Sequence, residues 1–114
     1  MQSVFPRAAL AAALALPVSP ALAGTTCTFD VECYQTDPCA ASGWELSVDL
    51  AAGTISSVAE DLEILHATPD GLQIVARGEG SLNLLTIGET ASLFTSHIAG
   101  APTVLTYVGE CAAQ

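Results

Sequence analysis

Residues 27–33 read CTFDVEC, and residues 103–111 read TVLTYVGEC. In the first run Cys27, Phe29, Val31 and Cys33 alternate with Thr28, Asp30 and Glu32, the period of two that marks a strand with one apolar face. In the second, Leu105, Tyr107, Gly109 and Cys111 share a face. Laid antiparallel with Cys27 opposite Cys111, the two runs set Phe29 against Gly109, Val31 against Tyr107 and Cys33 against Leu105. The first and last strands then pair. That favours closure of the sheet into a barrel, which leaves no exposed edge.

The cysteines support the same arrangement. Cys27, Cys33 and Cys39 are spaced C-x5-C-x5-C, with Cys111 far downstream. Structural zinc sites pair their ligands as C-x2–4-C, and no C-x-x-C redox motif occurs. An even cysteine number in a short exported chain points instead to two disulfides. A six-residue strand spans about 20 Å at ~3.3 Å per residue, whereas bridged Cα atoms lie within about 7 Å. Cys27 therefore cannot bond Cys33. The favoured pairing is Cys27–Cys111 with Cys33–Cys39, the latter closing across Gln35-Thr36-Asp37-Pro38; Cys27–Cys39 with Cys33–Cys111 is the alternative.

The start of the chain explains why disulfides are expected. MQSVFPR carries Arg7, the uncharged run AALAAALAL covers residues 8–16, and Pro17 and Pro20 precede Ala21-Leu22-Ala23. This is the pattern of a cleaved secretory signal, and the apolar run falls short of the roughly 20 residues that span a bilayer. The expected organisation is a signal peptide over 1–23 and one disulfide-stapled domain over 24–114. The mature form then has no membrane anchor and is periplasmic or extracellular. Gly24-Thr25-Thr26 separate the cleavage site from Cys27, which argues against lipidation.

Charge narrows the partners. The chain has twelve acids against Arg7 and Arg77, a net charge of −10. Every acid lies beyond residue 23, so cleavage leaves Arg77 as the only base. Such a surface repels nucleic acid and anionic membranes. Cations and basic proteins remain as partners.

Between the terminal strands the pattern is strand after strand. WELSVDL (44–50) sets Trp44, Leu46, Val48 and Leu50 on one face, with Trp44 read as core. TISSV (54–58), EDLEILHA (60–67), LQIVARG (72–78), SLNLLTI (81–87) and TASLFTSHI (90–98) follow. Thr68-Pro69-Asp70-Gly71 is the strongest turn between them. Residues 55–66 also fit helical spacing, with Ser57-x-x-Glu60 as a capping box; strand–turn–strand agrees better with the flanking strand and turn. Leu84-Leu85 breaks strict alternation and predicts a strand buried on both faces. No spacing leaves room for a crossover helix, so the fold class is all-β: about eight short antiparallel strands in meander order, as a small barrel or sandwich.

Chemistry is harder to find. Ser96 and His97 are adjacent, so in a strand they face opposite ways and cannot form a nucleophile–base pair. No nucleophile elbow, H-E-x-x-H or phosphate loop is present. The reading is therefore a non-enzyme without cofactor. His97, in line with Leu93 and Thr95, is expected on the inner face, as is His66 beside Ile64. Glu60, Asp61 and Glu63, with these two histidines, form only a weak candidate metal set, because calcium takes six to eight oxygens. Arg77 is expected to pair with Glu79 on its own strand face, or else to anchor a carboxylate ligand. Tyr34, Trp44 and Tyr107 are the aromatic candidates for a binding face.

Two functions agree with these features. One is an exported acidic binding domain, an inhibitor-like or capping partner of a basic exported protein. In size, export and strand pattern the chain resembles the small periplasmic barrels that inhibit lysozymes or proteases, at the level of architecture alone. The other is a carrier of a cation or small ligand on the acidic surface or inside the barrel.

Overall fold

The computed structural model describes residues 24–113. The predicted signal peptide lies outside them. Eight strands follow one another in the described residues: β1 (Thr25–Tyr34), β2 (Ala40–Asp49), β3 (Thr54–Ser56), β4 (Asp61–Ala67), β5 (Gln73–Gly78), β6 (Ser81–Thr86), β7 (Ser92–Ile98) and β8 (Thr103–Ala113). Each pairs antiparallel with the next, and β8 returns to β1, closing the barrel. Residues 55–66 are strand–turn–strand. Ser57 organises that turn: its hydroxyl donates to the Glu60 carbonyl and accepts from the amides of Ala59 and Glu60.

The interior is filled by alternate residues of the strands. Cys27, Phe29, Leu46, Val48, Ile55, Leu62, Ile74, Ala76, Leu85 and Phe94 form the buried core. The Thr68–Gly71 turn forms as its residues require. Gly71 adopts φ 75° and its amide donates to the Thr68 carbonyl at 2.8 Å. The Asp70 carboxylate accepts from the Thr68 hydroxyl and the Leu72 amide.

The disulfides are Cys27–Cys111 and Cys33–Cys39. Cys27 and Cys111 stand directly opposite each other on β1 and β8, as the strand pattern requires, and Phe29 faces Gly109. Beyond Phe29 the expected register fails. A β-bulge between Phe29 and Val31 sets Val31 against Val108, Glu32 against Tyr107 and Cys33 against Thr106. The extra residue turns Glu32 onto the face of Tyr107 and sends Val31 and Cys33 to the other side. At the bulge the two backbones approach closely. A Cβ on Gly109 would run into the Thr28 carbonyl oxygen and the Phe29 Cα.

Four further expectations change. A β-bulge between Ile64 and His66 turns His66 to the exposed outer face instead of the inner face of Ile64. Leu84 is 41% exposed while Leu85 is buried, so β6 is covered on one face only. His97 and Leu93 face outward, because Ser92, Phe94 and Ser96 take the inner positions of β7. Leu50 lies past the end of β2 and is half exposed.

The two ends of the barrel differ. One carries the β2–β3, β4–β5 and β6–β7 turns together with the Cys27–Cys111 bridge between the terminal strands. The other carries the β1–β2, β3–β4, β5–β6 and β7–β8 turns, and there Cys33–Cys39 staples the β1–β2 loop.

Candidate functional site

The second end opens into a cavity of about 260 Å³. Its lining comes from β2, β4, β6, β7 and β8 and from the β3–β4 and β5–β6 turns, so no short motif encodes it. One wall is aromatic. Trp44 of β2 and Tyr107 of β8 stack with ring centroids 4.4 Å apart, and Phe94 of β7 meets Trp44 edge-on at 5.3 Å. Phe29 lies against all three rings and ties them to the core. Leu62, Ile98 and Leu105 complete the apolar lining.

The facing wall is polar although it lies inside the barrel. Asn83 of β6 and Ser96 of β7 are register partners and line the cavity with Ser81. Asn83 is 5% exposed; its Nδ2 donates to the Ala76 carbonyl at 3.2 Å and to the Ser81 hydroxyl at 3.1 Å. Its Oδ1 accepts no bond from the described residues. Ser96 is 7% exposed, and its hydroxyl has no hydrogen-bond partner among the described residues. Ser92, on the same strand face, is fully buried but accepts from the Gly88 amide at 3.2 Å. Buried polar groups are rarely left without a partner, since doing so costs about 1–3 kcal/mol. Ser96 is therefore a feature to be explained.

Carboxylates stand at the rim. Glu60, on the β3–β4 turn, reaches across to the β5–β6 turn, where its Oε1 accepts from the Glu79 amide at 3.2 Å. Glu79 lines the same opening. Gly78 permits this approach: a Cβ there would meet Ser81 Oγ, Leu62 Cδ2 and Glu60 Oε2 at 2.7–2.9 Å. Glu32, turned inward by the bulge, stands beside Tyr107. The Tyr107 hydroxyl is held above the ordinary phenol range, first by burial and second by the negative charge of Glu32. Among the described residues no basic side chain lines the cavity.

The residues singled out in the sequence are mostly elsewhere. Arg77 bonds Glu63 across β4 and β5 at 2.7 Å, not Glu79, because Glu79 has left the strand for the turn. Both partners are more than half exposed, so the pair contributes at most about 1 kcal/mol. Asp61 and Glu63 project from β4 into solvent, and only Glu60 of that cluster reaches the cavity. His66 and His97 are exposed on β4 and β7, with β5 and β6 between them, and do not meet. Among the described residues no three His, Cys, Asp or Glu side chains converge as metal ligands. Of the aromatic candidates, Trp44 and Tyr107 belong to the cavity; Tyr34 does not line it.

Asn83, Ser96 and Ser81 escaped the sequence reading. Their signal was alternation itself: S-x-N-x-L in β6 and S-x-F-x-S in β7 put polar residues on the face that also carries Leu85 and Phe94. The sequence pattern predicts a β6 buried on both faces and, in β7, an inner face of Leu93, Thr95 and His97. That face instead forms part of an open outer surface, where a groove of about 580 Å³ runs past Arg77, Leu82, His97, Ile98 and Val104.

The fold and cavity together define an eight-stranded meander barrel, closed at one end by core packing and open at the other. Compared with known protein families, curated proteins and solved structures, the chain matches none.

Proposed function

We propose that this protein is an exported binding domain that takes one small chemical group into the mouth of its barrel. The reading is supported above all by Ser96, a buried hydroxyl without a partner among the described residues, in a cavity walled by Trp44 and Tyr107. Polar groups converging in an apolar concavity are the usual composition of a ligand site. The two disulfides agree with an oxidising, exported setting.

The test is a fragment screen on the isotope-labelled, oxidised protein, read at its backbone amides. Hits should displace the amides of Asn83, Ser96, Leu105 and Tyr107. Hits confined to Leu82, His97 and Val104 would move the site to the outer groove and overturn the reading.

A second reading, a cap on a basic exported protein, is favoured by the outward carboxylates. Glu45, Asp49, Asp61, Glu63 and Glu110 are exposed on β2, β4 and β8, and among the described residues only Glu63 meets a base. Retention of a basic protein by the immobilised domain at low salt, and its release by salt, would test this.

A further inference from the structure

We propose that the group admitted by the barrel mouth is a small organic monocation, an alkylammonium, quaternary ammonium or guanidinium. The inference rests on the mouth being the binding site and adds the class of ligand.

Three observations carry it. The rim holds Glu60 and Glu79 and the described lining contains no base, so an anion is repelled. Trp44 and Tyr107, stacked on each other, line the cavity with aromatic surface, and an aromatic ring's negative quadrupole attracts a cation most strongly where water is excluded. The buried polar atoms without partners among the described residues, Ser96 Oγ and Asn83 Oδ1, can both accept a hydrogen bond from an alkylammonium or guanidinium N–H, or from the hydroxyl of a quaternary ammonium such as choline, whose nitrogen carries no hydrogen. A bare metal ion fits poorly, because two carboxylates and neutral oxygens beside aromatic rings do not supply the six to eight oxygens calcium takes. The apolar lining from Leu62, Phe94, Ile98 and Leu105 suits the alkyl part of an organic ion.

Size limits the ligand further. The cavity of about 260 Å³ lies below the roughly 300–1,000 Å³ of ordinary small-molecule sites. It admits one small cation or one side chain. The same chemistry has two sources: a free amine, or a lysine or arginine presented by a basic exported protein.

Trp44 is the only tryptophan in the chain and reports directly on the mouth. The oxidised protein is titrated with choline, with the uncharged tert-butyl analogue of choline, and with an acetylated Gly-Arg-Gly amide. Emission of Trp44 is followed, and melting temperature is recorded alongside. Choline or the arginine peptide should bind at least tenfold tighter than the neutral analogue. The double substitution E60Q/E79Q should abolish that margin while leaving the melting temperature and the neutral analogue's affinity unchanged. A carboxamide at position 60 keeps an oxygen that can accept from the amide of residue 79, so the contact between the two turns survives. Tighter binding of choline assigns the site to a free ammonium; tighter binding of the peptide assigns it to a protein side chain. If the neutral analogue binds as well as choline, the charge assignment is overturned and the mouth stands as the site. If no probe alters Trp44 emission or the Ser96 and Asn83 amides, both the ligand class and the mouth reading fall.

Discussion

Removing each disulfide in turn tests whether the seam between β1 and β8 is what holds the barrel closed. The two bridges have sequence separations of 84 and 6. In the chain-entropy model the first restricts the unfolded state by about 4–5 kcal/mol and the second by about 2–2.5 kcal/mol. Burial adds to the difference. Cys27 is fully buried against Phe29 and Leu46, so an alanine there also loses core packing, whereas Cys39 is exposed. In a domain of this size 1 kcal/mol corresponds to about 4–8 °C. The pair C27A/C111A should therefore lower the melting temperature by on the order of 20 °C or more, and C33A/C39A by on the order of 10 °C. Differential scanning calorimetry of both variants beside the oxidised parent measures this. Mild reductant should also open the exposed Cys33–Cys39 before Cys27–Cys111. Equal losses, or a larger loss for C33A/C39A, would refute the assignment of closure to the terminal bridge.

The other predictions concern single groups. Ser96→Ala should leave the melting temperature unchanged or raise it, because it removes a buried hydroxyl that bonds nothing among the described residues; Ser92→Ala should cost about 1 kcal/mol. A clear fall for Ser96→Ala in calorimetry would mean that its hydroxyl is partnered. Gly109→Ala should cost about 3 kcal/mol or more, since its Cβ meets the β1 backbone rather than a side chain that can turn aside; a denaturation midpoint equal to the parent's would contradict the bulge. Tyr107 ionises above its unfolded value, so its contribution to stability is present below about pH 10 and is lost as pH rises through the folded value. Glu32→Gln should lower that value, read as tyrosinate absorbance in a Tyr34→Phe background; an unchanged titration would place Glu32 away from Tyr107. Calcium and zinc should stabilise no more than NaCl at matched ionic strength, because among the described residues no three acidic, histidine or cysteine side chains converge. A melting shift of about 10 °C beyond that control would show converging ligands.

Much of the fold was legible because its signals are local or pairwise. Alternation in WELSVDL and TVLTYVGEC marks strands without reference to the rest of the chain. Thr68-Pro69-Asp70-Gly71 closes a turn through its own backbone and side-chain bonds. The excluded Cys27–Cys33 bond and the shared face of Cys27 and Cys111 led to the observed disulfides and to pairing of the terminal strands.

What tertiary structure alone decided is which face points inward in strands with apolar residues on both faces, β6 and β7 above all. Period-two patterning defines two faces and does not say which is buried when both carry apolar residues. In β6 and β7, Leu82, Leu84 and Leu93 were as eligible as Leu85 and Phe94, and closure with the neighbouring strands chose the latter. That choice carried Asn83 and Ser96 into the interior and His97 out of it. The bulge after Phe29, where the backbone meets Gly109, turned Glu32 inward by the same one-residue step. The cavity exists only where those choices meet. Its walls come from strands far apart in the chain, and their convergence depends on a register that closure of the barrel imposes on all eight strands together.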